Sequence, residues 1–407
     1  MIDYYEMTRD FWLINLSKQL ETPTLVRIDI NIPVVDGKIV ENSYRLHVYA
    51  DVLTLLSEYA GIVAVAHQGR KGQDDFIPLK QHWVVLRKLL PTDIDIDFIP
   101  FDKVFTEETK NRIRKLRRRE VILLDNIRML DEETSFNPSN SKFIEFFKGV
   151  IKSAVNDAIP VWHRPHTSLM ALPYIAKTYV GVRSILELKT LKDVLEAKEK
   201  GVALIMGGAK LAKVNYLMKI LKWAKGYTGG LPGQLLAYVD GHDLNIRNIN
   251  FLKKKFKEKD FIAAKELVKK FNVKYPKDFV IVENGEKKVV SLDEIGKCNG
   301  IIYDIGPETV EWYASETEGM DIRIRAGPLG VFERGFDNGV KLTKMIAGSG
   351  LIFLGGDTTA EVSMYGLDKI IANTGGVLCV SGGSFLHGLA GEPYYSIDEL
   401  IKMQKRN

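Results

Sequence analysis

The 407-residue chain is poor in cysteine and has no long apolar segment, and these shortages exclude several classes of protein. Cys298 and Cys379 are its two cysteines, and they stand too far apart for a CxxC motif. This content favours a reduced, cytoplasmic protein over a secreted one stabilised by disulfides. No apolar run approaches the roughly 20 residues of a membrane span, and the first residues lack the basic start of a signal peptide.

Two common phosphate-binding motifs are also missing. Neither GxxxxGK[ST] nor GxGxxG occurs, which argues against a P-loop or a dinucleotide-binding fingerprint. The formal charge of +5 is small for this length and does not by itself support nucleic-acid binding. Basic stretches at 112–119 and 253–270 are interpreted as solvated helix faces, with nucleic-acid contact as the alternative. We expect no nucleic acid or membrane partner, and a monomer.

Short β-branched apolar runs recur along the chain, with helical stretches between them. They predict strands at 25–30, 62–66, 121–124, 202–206, 279–282, 300–303, 351–354 and 377–380. Runs that are apolar at nearly every position are typical of parallel strands covered by helices on both faces. The length suits two domains, divided near residues 180–183. A helix predicted over 184–200 is either a connector between lobes or an ordinary crossover helix.

Arginines and histidines stand at the ends of the predicted strands in the first half. Arg27, Asp29 and Asn31 share one face of a strand, and Arg45 follows a turn. The other segments are His67-Gln-Gly-Arg70, Asp125-Asn-Ile-Arg128 and His163-Arg164-Pro-His166. Guanidinium forks bind phosphate and carboxylate, so this half predicts a site for a small, highly charged acid. Two alternatives remain open: an internal Arg27–Asp29 ion pair, and a metal site at His163 and His166.

Paired glycines take the same positions in the second half. They are Gly207-Gly-Ala-Lys210, Gly229-Gly230, Gly355-Gly-Asp357 and Ser381-Gly-Gly383. Glycine turns that leave backbone N–H groups free suit the phosphates of a nucleotide, and Lys210 adds a mobile charge. Asp357 is a candidate ligand for a nucleotide's Mg²⁺, or a helix cap together with Thr358. Glu333 is either a ribose ligand or an exposed loop residue.

These motifs, in this order, resemble phosphoglycerate kinase over nearly the whole chain. The match includes residues 26–33 with Arg45, the three basic segments of the first half, Gly207-Gly-Ala-Lys210, Asp304-Ile-Gly-Pro307, residues 327–333 and Gly355-Gly-Asp-Thr358. The resemblance implies two Rossmann-like α/β/α lobes with parallel sheets, joined by a long helix. It implies an acid-binding lobe at 1–182, a nucleotide-binding lobe at 183–390, and a segment at 391–407 that returns to the first lobe.

The resemblance also implies site residues and a reaction. 3-Phosphoglycerate or 1,3-bisphosphoglycerate would contact Arg27, Asp29, Asn31, Arg45, His67, Arg70, Arg128, Arg164 and His166. Mg-ATP or Mg-ADP would contact Gly208, Lys210, Gly229, Gly230, Gly306, Gly327, Glu333, Gly355, Gly356, Asp357, Thr358, Ser381, Gly382 and Gly383, with Asp357 toward the Mg²⁺. A phosphoryl group would move between the two substrates, and Arg45 and Lys210 are the residues expected to clamp it.

The sequence departs from the family pattern in three places, all in the second half. Val214 stands where a second lysine is usual, Ala326 replaces the asparagine before Gly-Pro, and the last glycine turn is shortened to Ser381–Gly383. An upstream Asn373-Thr-Gly-Gly376 is the alternative for that turn. These changes leave open a relative that binds ligands without turnover, or a kinase for another acidic metabolite.

Overall fold

The protein is described by a computed structural model that covers residues 2–211, 214–355 and 358–405. The chain divides into two compact units, 1–192 with 383–407 and 193–382. The lobe boundaries expected from the sequence, after 182 and after 390, both fall within the first unit. In the ranges described, no helix combines the length and apolar character that crossing a membrane requires.

The first unit contains a six-stranded, wholly parallel sheet. Its strands and small hairpin are β1 Thr24–Arg27, β2 Val34–Val35, β3 Lys38–Ile39, β4 Ile62–Val65, β5 Asp95–Ile99, β6 Glu120–Leu124, β7 Ser153–Asn156 and β8 Lys177–Val180. The order is β5-β6-β4-β1-β7-β8, and β2 pairs with β3 separately. Strands β1, β4 and β7 are buried at every position, as expected when helices cover both faces.

Helices of this unit connect successive strands. They are α1 Tyr4–Met7, α2 Leu16–Gln19, α3 Tyr44–Ser57, α4 Lys80–Leu89, α5 Phe101–Val104, α6 Glu107–Arg114, α7 Lys142–Phe147, α8 Thr167–Met170, α9 Leu172–Ile175 and α10 Val182–Glu196. The buried Asp157, from the segment after β7, caps the start of α10. Its carboxylate accepts hydrogen bonds from the Ser184 N–H (2.7 Å) and the Arg183 N–H (3.3 Å). The helix expected over 184–200 is therefore present, and it gives way to a 3₁₀ turn at Ala197–Glu199.

The second unit contains a five-stranded parallel sheet and a separate three-stranded antiparallel sheet. Its strands are β9 Val202–Met206, β10 Lys225–Thr228, β11 Asp278–Glu283, β12 Glu286–Ser291, β13 Ile301–Ile305, β14 Ile322–Ala326, β15 Leu351–Leu354 and β16 Val377–Cys379. The parallel order is β10-β9-β14-β15-β16, and the antiparallel order is β12-β11-β13. The runs at 279–282 and 300–303 are thus strands, but the expectation that they are parallel is wrong.

The remaining helices complete the second unit and return the chain to the first. They are α11 Val214–Ile220, α12 Gly230–Val239, α13 Asn245–Lys255, α14 Glu258–Phe271, α15 Pro307–Thr317, α16 Asn338–Met345, α17 Thr358–Tyr365, α18 Leu367–Asn373, α19 Gly382–Leu389 and α20 Tyr395–Gln404. Within the first unit, Tyr4 Oη donates to Asp398 (2.9 Å) and accepts from the Tyr394 N–H (2.9 Å). Both ends of the chain therefore belong to one core.

Candidate functional site

The predicted acid-binding residues gather at the carboxyl end of the first parallel sheet. Arg27 is the last residue of β1 and is level with Val65 of β4 and Asn156 of β7. After β1 the chain adds β4 on one side of it, and later it adds β7 on the other side. The direction in which successive strands are added therefore reverses beside β1. Crevices at such switch points are where open α/β sheets bind ligands.

Arg27 is fully buried and serves as an internal support. Its Nε donates to Ser168 Oγ (2.9 Å), its Nη1 donates to the Ile28 carbonyl, and its Nη2 lies 3.1 Å from His67 Nδ1. A guanidinium has no acceptor, so Nδ1 of His67 accepts this hydrogen bond and carries no proton. Burial lowers the pKa of Arg27, and the charges of Glu133 and, less strongly, Asp29 oppose this shift.

Asp29, Asn31 and Arg45 form a connected polar group at the mouth of the site. Arg45 Nη1 donates to Asp29 Oδ2 (3.2 Å) and to the Asn31 carbonyl (2.6 Å). Asn31 Oδ1 accepts from the Gly69 N–H (2.8 Å), which fixes the turn that leads to Arg70. The Arg45 guanidinium is therefore held in place at the edge of the site, with its side chain 12% exposed.

Arg128 places buried hydrogen-bond donors without a partner at the site. It lies in a 3₁₀ turn, Ile127–Met129, directly after β6, and its Nε and Nη2 are buried without a hydrogen-bond partner. Its pKa is lowered to about 10, mainly by burial; Glu133 opposes this shift, and Arg164, Arg27 and Arg70 add to it. A buried donor without a partner is costly, and an anion bound here would satisfy both donors.

Arg164 and Arg70 complete the cluster. Burial lowers the pKa of Arg164, and Arg70, Arg27 and Arg45 add to the effect, while Asp29 opposes it. Arg70 itself is exposed. The segment 163–166 was expected at a strand end, but a 3₁₀ turn at Ile159–Val161 separates it from β7, so it reaches the site from a loop. Five arginines are thus electrostatic neighbours.

The two site histidines are neutral. Burial lowers the pKa of His67 well below its usual value and that of His166 to about 2, and the surrounding arginines act in the same direction. Nδ1 of His166 is buried without a hydrogen-bond partner. Across the described parts of the chain, no group of three or more His, Cys, Asp or Glu side chains is placed to hold a metal ion. The histidines are therefore neutral hydrogen-bonding groups within a cationic site.

Glu133 is a site residue that the sequence interpretation missed. Its carboxylate is fully buried and accepts from Ser168 Oγ (2.7 Å) and the Ser168 N–H (2.9 Å). Burial raises its pKa, whereas Arg27 and Ser168 lower it. The run Asp131-Glu-Glu, three residues after Arg128, was the available signal. With five arginines set against Asp29 and Glu133, the cluster carries a net charge of +3.

Glycine turns follow the strands of the second unit, as expected, but the N–H groups of five of the predicted glycines are not free. The hydrogen bonds run from Gly207 to Ala326, from Gly208 to Pro328, from Gly229 to Met206, from Gly230 to Leu329, and from Gly306 to Asp278, each N–H to a carbonyl at 2.6–2.8 Å. The expectation that these amides are bare for phosphate is therefore wrong. The physical need for glycine at these positions is different.

These glycines allow three turns to approach one another through their backbones. Strands β9 and β14 pair in register to their last residues, Met206 and Ala326, so the turns that follow them meet directly. A Cβ on Gly207 would overlap the Pro328 carbonyl, and one on Gly327 would lie 2.7 Å from the Gly207 backbone. Gly327 also has a φ of +85°, which side chains avoid. The three turns therefore form one rigid surface.

A cavity of about 690 Å³ lies against this surface, within the second unit. Its lining includes the predicted Gly208, Gly230 and Glu333, with apolar residues Leu231, Ile302, Tyr303, Val331 and Phe332. A volume of this size suits a nucleotide or another small molecule, and a largely apolar wall with few polar groups is typical of such sites. Lys210 is exposed and follows the cavity residue Ala209 by one position.

One wall of the cavity was not anticipated. Arg247, Asn248, Phe251 and Lys255 line it from one face of α13, of which only the end from residue 253 was interpreted from the sequence, as part of a basic, solvated helix face. Asn248 is fixed, because its amide binds the carbonyls of Leu244 and Gly300 and the Ile302 N–H. The buried amide of Gln234 also lines the cavity, on α12. On α13, Arg247, Phe251 and Lys255 are four residues apart and Asn248 stands three before Phe251, which places all four on one helix face. This spacing was the available sequence signal for the wall.

The other predicted nucleotide residues lie in or beside turns after strands. Gly306 precedes α15, and a Cβ on it would overlap the Asp278 carboxylate. A Cβ on Gly355 would lie 2.6 Å from the Cys379 carbonyl, and Ser381 is buried at the turn before α19. Gly382 and Gly383 begin α19, and Thr358 begins α17. Gly356 and Asp357, the proposed metal ligand, lie outside the described residues.

A cationic cleft on one parallel α/β unit, and a nucleotide-sized cavity on a second, define a two-lobed α/β kinase. The sequence model of the phosphoglycerate kinase family matches residues 18–392. The chain belongs to the phosphoglycerate kinase family.

Curated relatives and solved structures agree with this assignment. The phosphoglycerate kinase of Methanothermus fervidus is 30% identical over 94% of this chain and 95% of its own length. That of Sulfurisphaera tokodaii is 31% identical over 92% of each chain. The crystal structure of the Pyrococcus horikoshii enzyme covers 98% of this chain and 100% of its own, with a TM-score of 0.84 and 27% identity.

Proposed function

We propose that this protein transfers a phosphoryl group reversibly from 1,3-bisphosphoglycerate to ADP, giving 3-phosphoglycerate and ATP, in glycolysis and gluconeogenesis. The observation that carries the proposal is the arginine cluster, in which Arg128 holds two unpartnered buried donors. A phosphate and a carboxylate together carry a charge of about −3, which matches the net charge of the seven cluster side chains.

The proposed chemistry asks for charge neutralisation and positioning. The attacking group is already a carboxylate or a phosphate, so no general base is required. Arg45, held by Asp29 and the Asn31 carbonyl, and the exposed Lys210 are proposed to stabilise the transferring group. The neutral histidines act as hydrogen-bonding partners for the acid, since their lowered pKa values exclude a charged form near neutral pH.

The nucleotide is proposed to occupy the 690 Å³ cavity, with Glu333 toward the ribose. Mg²⁺ would neutralise the phosphates of the bound nucleotide. Its proposed protein ligand is Asp357, a carboxylate type that suits this hard cation. A cytoplasmic location follows from the same proposal and agrees with the low cysteine content.

The test is a coupled assay with purified protein, 3-phosphoglycerate and Mg-ATP. We expect turnover well above that of a Lys210→Ala control, because that variant loses a proposed clamp. Turnover no higher than the control would overturn the proposal. Calorimetry with the same ligands then identifies a relative that binds without catalysis, and a panel of other acidic metabolites identifies a different acceptor.

A further inference from the structure

An ion pair between Arg325 and Glu361 is buried inside the second unit. Arg325 Nη2 lies 3.3 Å from Glu361 Oε1 and 3.2 Å from Oε2, and the two side chains are 0% and 1% exposed. Gly339 makes room for the pair, since a Cβ there would lie 3.1 Å from Arg325 Nη2 and 3.2 Å from Glu361 Oε1. Replacing such a pair by apolar residues often does not reduce stability, so its stability contribution alone does not explain it.

Arg325 connects this pair to the cavity. It is the penultimate residue of β14, and its Nη1 donates to the carbonyl of Gly327, two residues later. The segment that begins there supplies Pro328, Gly330, Val331, Phe332, Glu333 and Arg334 to the cavity wall. One hydrogen bond from the arginine of the ion pair therefore holds Gly327, the residue directly before the first lining residue, Pro328.

Asp304 holds the same segment further along. Its carboxylate is buried and accepts from the N–H groups of Asn338 (2.8 Å) and Ile305 (2.9 Å). A Cβ on Gly330 would overlap this carboxylate, so the chain at 330 rests directly on it. Arg325 and Glu361 both act electrostatically on Asp304. The exposed Glu333, proposed for the ribose, acts electrostatically on Glu361 from the wall itself.

We propose that Arg325 and Glu361 are positioning residues that set the 327–334 wall for nucleotide binding. Glu361 orients the guanidinium from the first turn of α17, and the guanidinium fixes the Gly327 carbonyl. This inference deepens the proposed function and depends on a nucleotide occupying the cavity. The buried Arg325–Glu361 pair then contributes to nucleotide affinity, and this contribution can be measured separately from its contribution to stability.

The test compares Arg325→Met, Glu361→Leu and the double variant by calorimetric titration with ADP and by thermal unfolding. Each single change leaves one buried charge unpaired, so both should lower the melting temperature. The double variant should regain stability, because no charge remains unpaired. Its ADP affinity should stay about tenfold below the wild type, since the Gly327 carbonyl has lost its donor. Affinity for 3-phosphoglycerate should not change.

A double variant that regains both stability and ADP affinity would show that the pair only stabilises the fold. Arg325→Lys covers the case in which the double variant does not fold, because lysine keeps the charge opposite Glu361 but lacks the fork that reaches Gly327. Unchanged ADP affinity in Arg325→Lys would equally overturn the inference. Arg183→Met, which breaks the Arg183–Glu187 pair (2.9 Å) in the first unit, is the matched control and should leave ADP affinity unchanged. A wild type that binds no ADP would remove the proposed function itself.

Discussion

Replacing Arg128 by methionine should make the protein more stable and less able to bind its acidic substrate. The guanidinium lies in a buried position with two donors unpartnered, and three other arginines, Arg27, Arg70 and Arg164, act on it electrostatically. Methionine has similar length, no charge and no donors to satisfy. The substitution therefore removes an unfavourable feature of the unliganded protein, which the proposed ligand would otherwise compensate.

The size of the effect follows from the pKa of Arg128. A fall from 12.5 to about 10 corresponds to about 3 kcal/mol against the charged form in the folded state, at 1.36 kcal/mol for each pKa unit. Solvent screening at the open side of the site reduces this to about 2 kcal/mol. Because the group is protonated in both states at neutral pH, the gain should not vary between pH 6 and 8. Loss of two charge-assisted hydrogen bonds should weaken 3-phosphoglycerate binding about 100-fold.

Differential scanning calorimetry with and without 3-phosphoglycerate measures both effects. The transition that the ligand shifts in the wild type should move up by about 4–8 °C in Arg128→Met, and the ligand should shift it far less. Arg114→Met is the control, because Arg114 is an exposed residue of α6 that bonds only to Asn111 in the described structure. A lower melting temperature together with wild-type affinity would refute the reasoning and make Arg128 an ordinary structural arginine.

Four further outcomes are expected. Arg45→Ala should lower turnover about 100-fold in the coupled assay while ADP affinity in calorimetry stays near wild type; an unchanged rate would show that Arg45 is not a clamp. His82, whose pKa burial lowers to about 4, should cost stability as pH falls from 6.5 toward 4, by about 1.4 kcal/mol per pH unit; urea unfolding of His82→Gln should show a slope smaller by this amount, since His67 and His166 keep their own contributions, and an unchanged slope would contradict it. Gly207→Ala should abolish ADP binding and lower the melting temperature, because the new methyl group overlaps a carbonyl; wild-type binding would contradict the backbone contact. Gln234→Leu should raise the KM for ATP about tenfold without loss of thermal stability, and an unchanged KM would show that this amide does not contact the nucleotide.

Three of the parallel strands that the sequence predicted, β4, β9 and β15, are apolar throughout, and hydrophobic burial alone identifies them. Strands β7 and β14 were missed, because they carry polar residues that partners on other segments satisfy. Ser153 of β7 lies 2.7 Å from Thr24 Oγ1, and Arg325 of β14 pairs with Glu361, contacts between segments that periodicity does not reveal.

The candidate sites were predictable to different degrees for a similar reason. Arginine side chains at successive strand ends have few roles besides anion binding, so the arginine cluster could be predicted from the sequence. Its counter-charge Glu133 was not visible, because burial of a carboxylate depends on the fold around it. The glycines were located correctly but misinterpreted, since a turn that needs glycine to approach another turn has the same sequence as one that exposes its amides.

The return of the last 25 residues to the first unit gives the chain an unusual order of synthesis. During synthesis, residues 1–192 leave the ribosome before the rest of the chain. The unit that they form also needs residues 383–407, which include Tyr394 and Asp398, the hydrogen-bond partners of Tyr4. The second unit, in contrast, is one continuous segment and has all its residues before translation ends. The first unit is therefore begun before the second and completed after it, and a nascent chain of this protein carries an unfinished anion-binding half until α20 has been released.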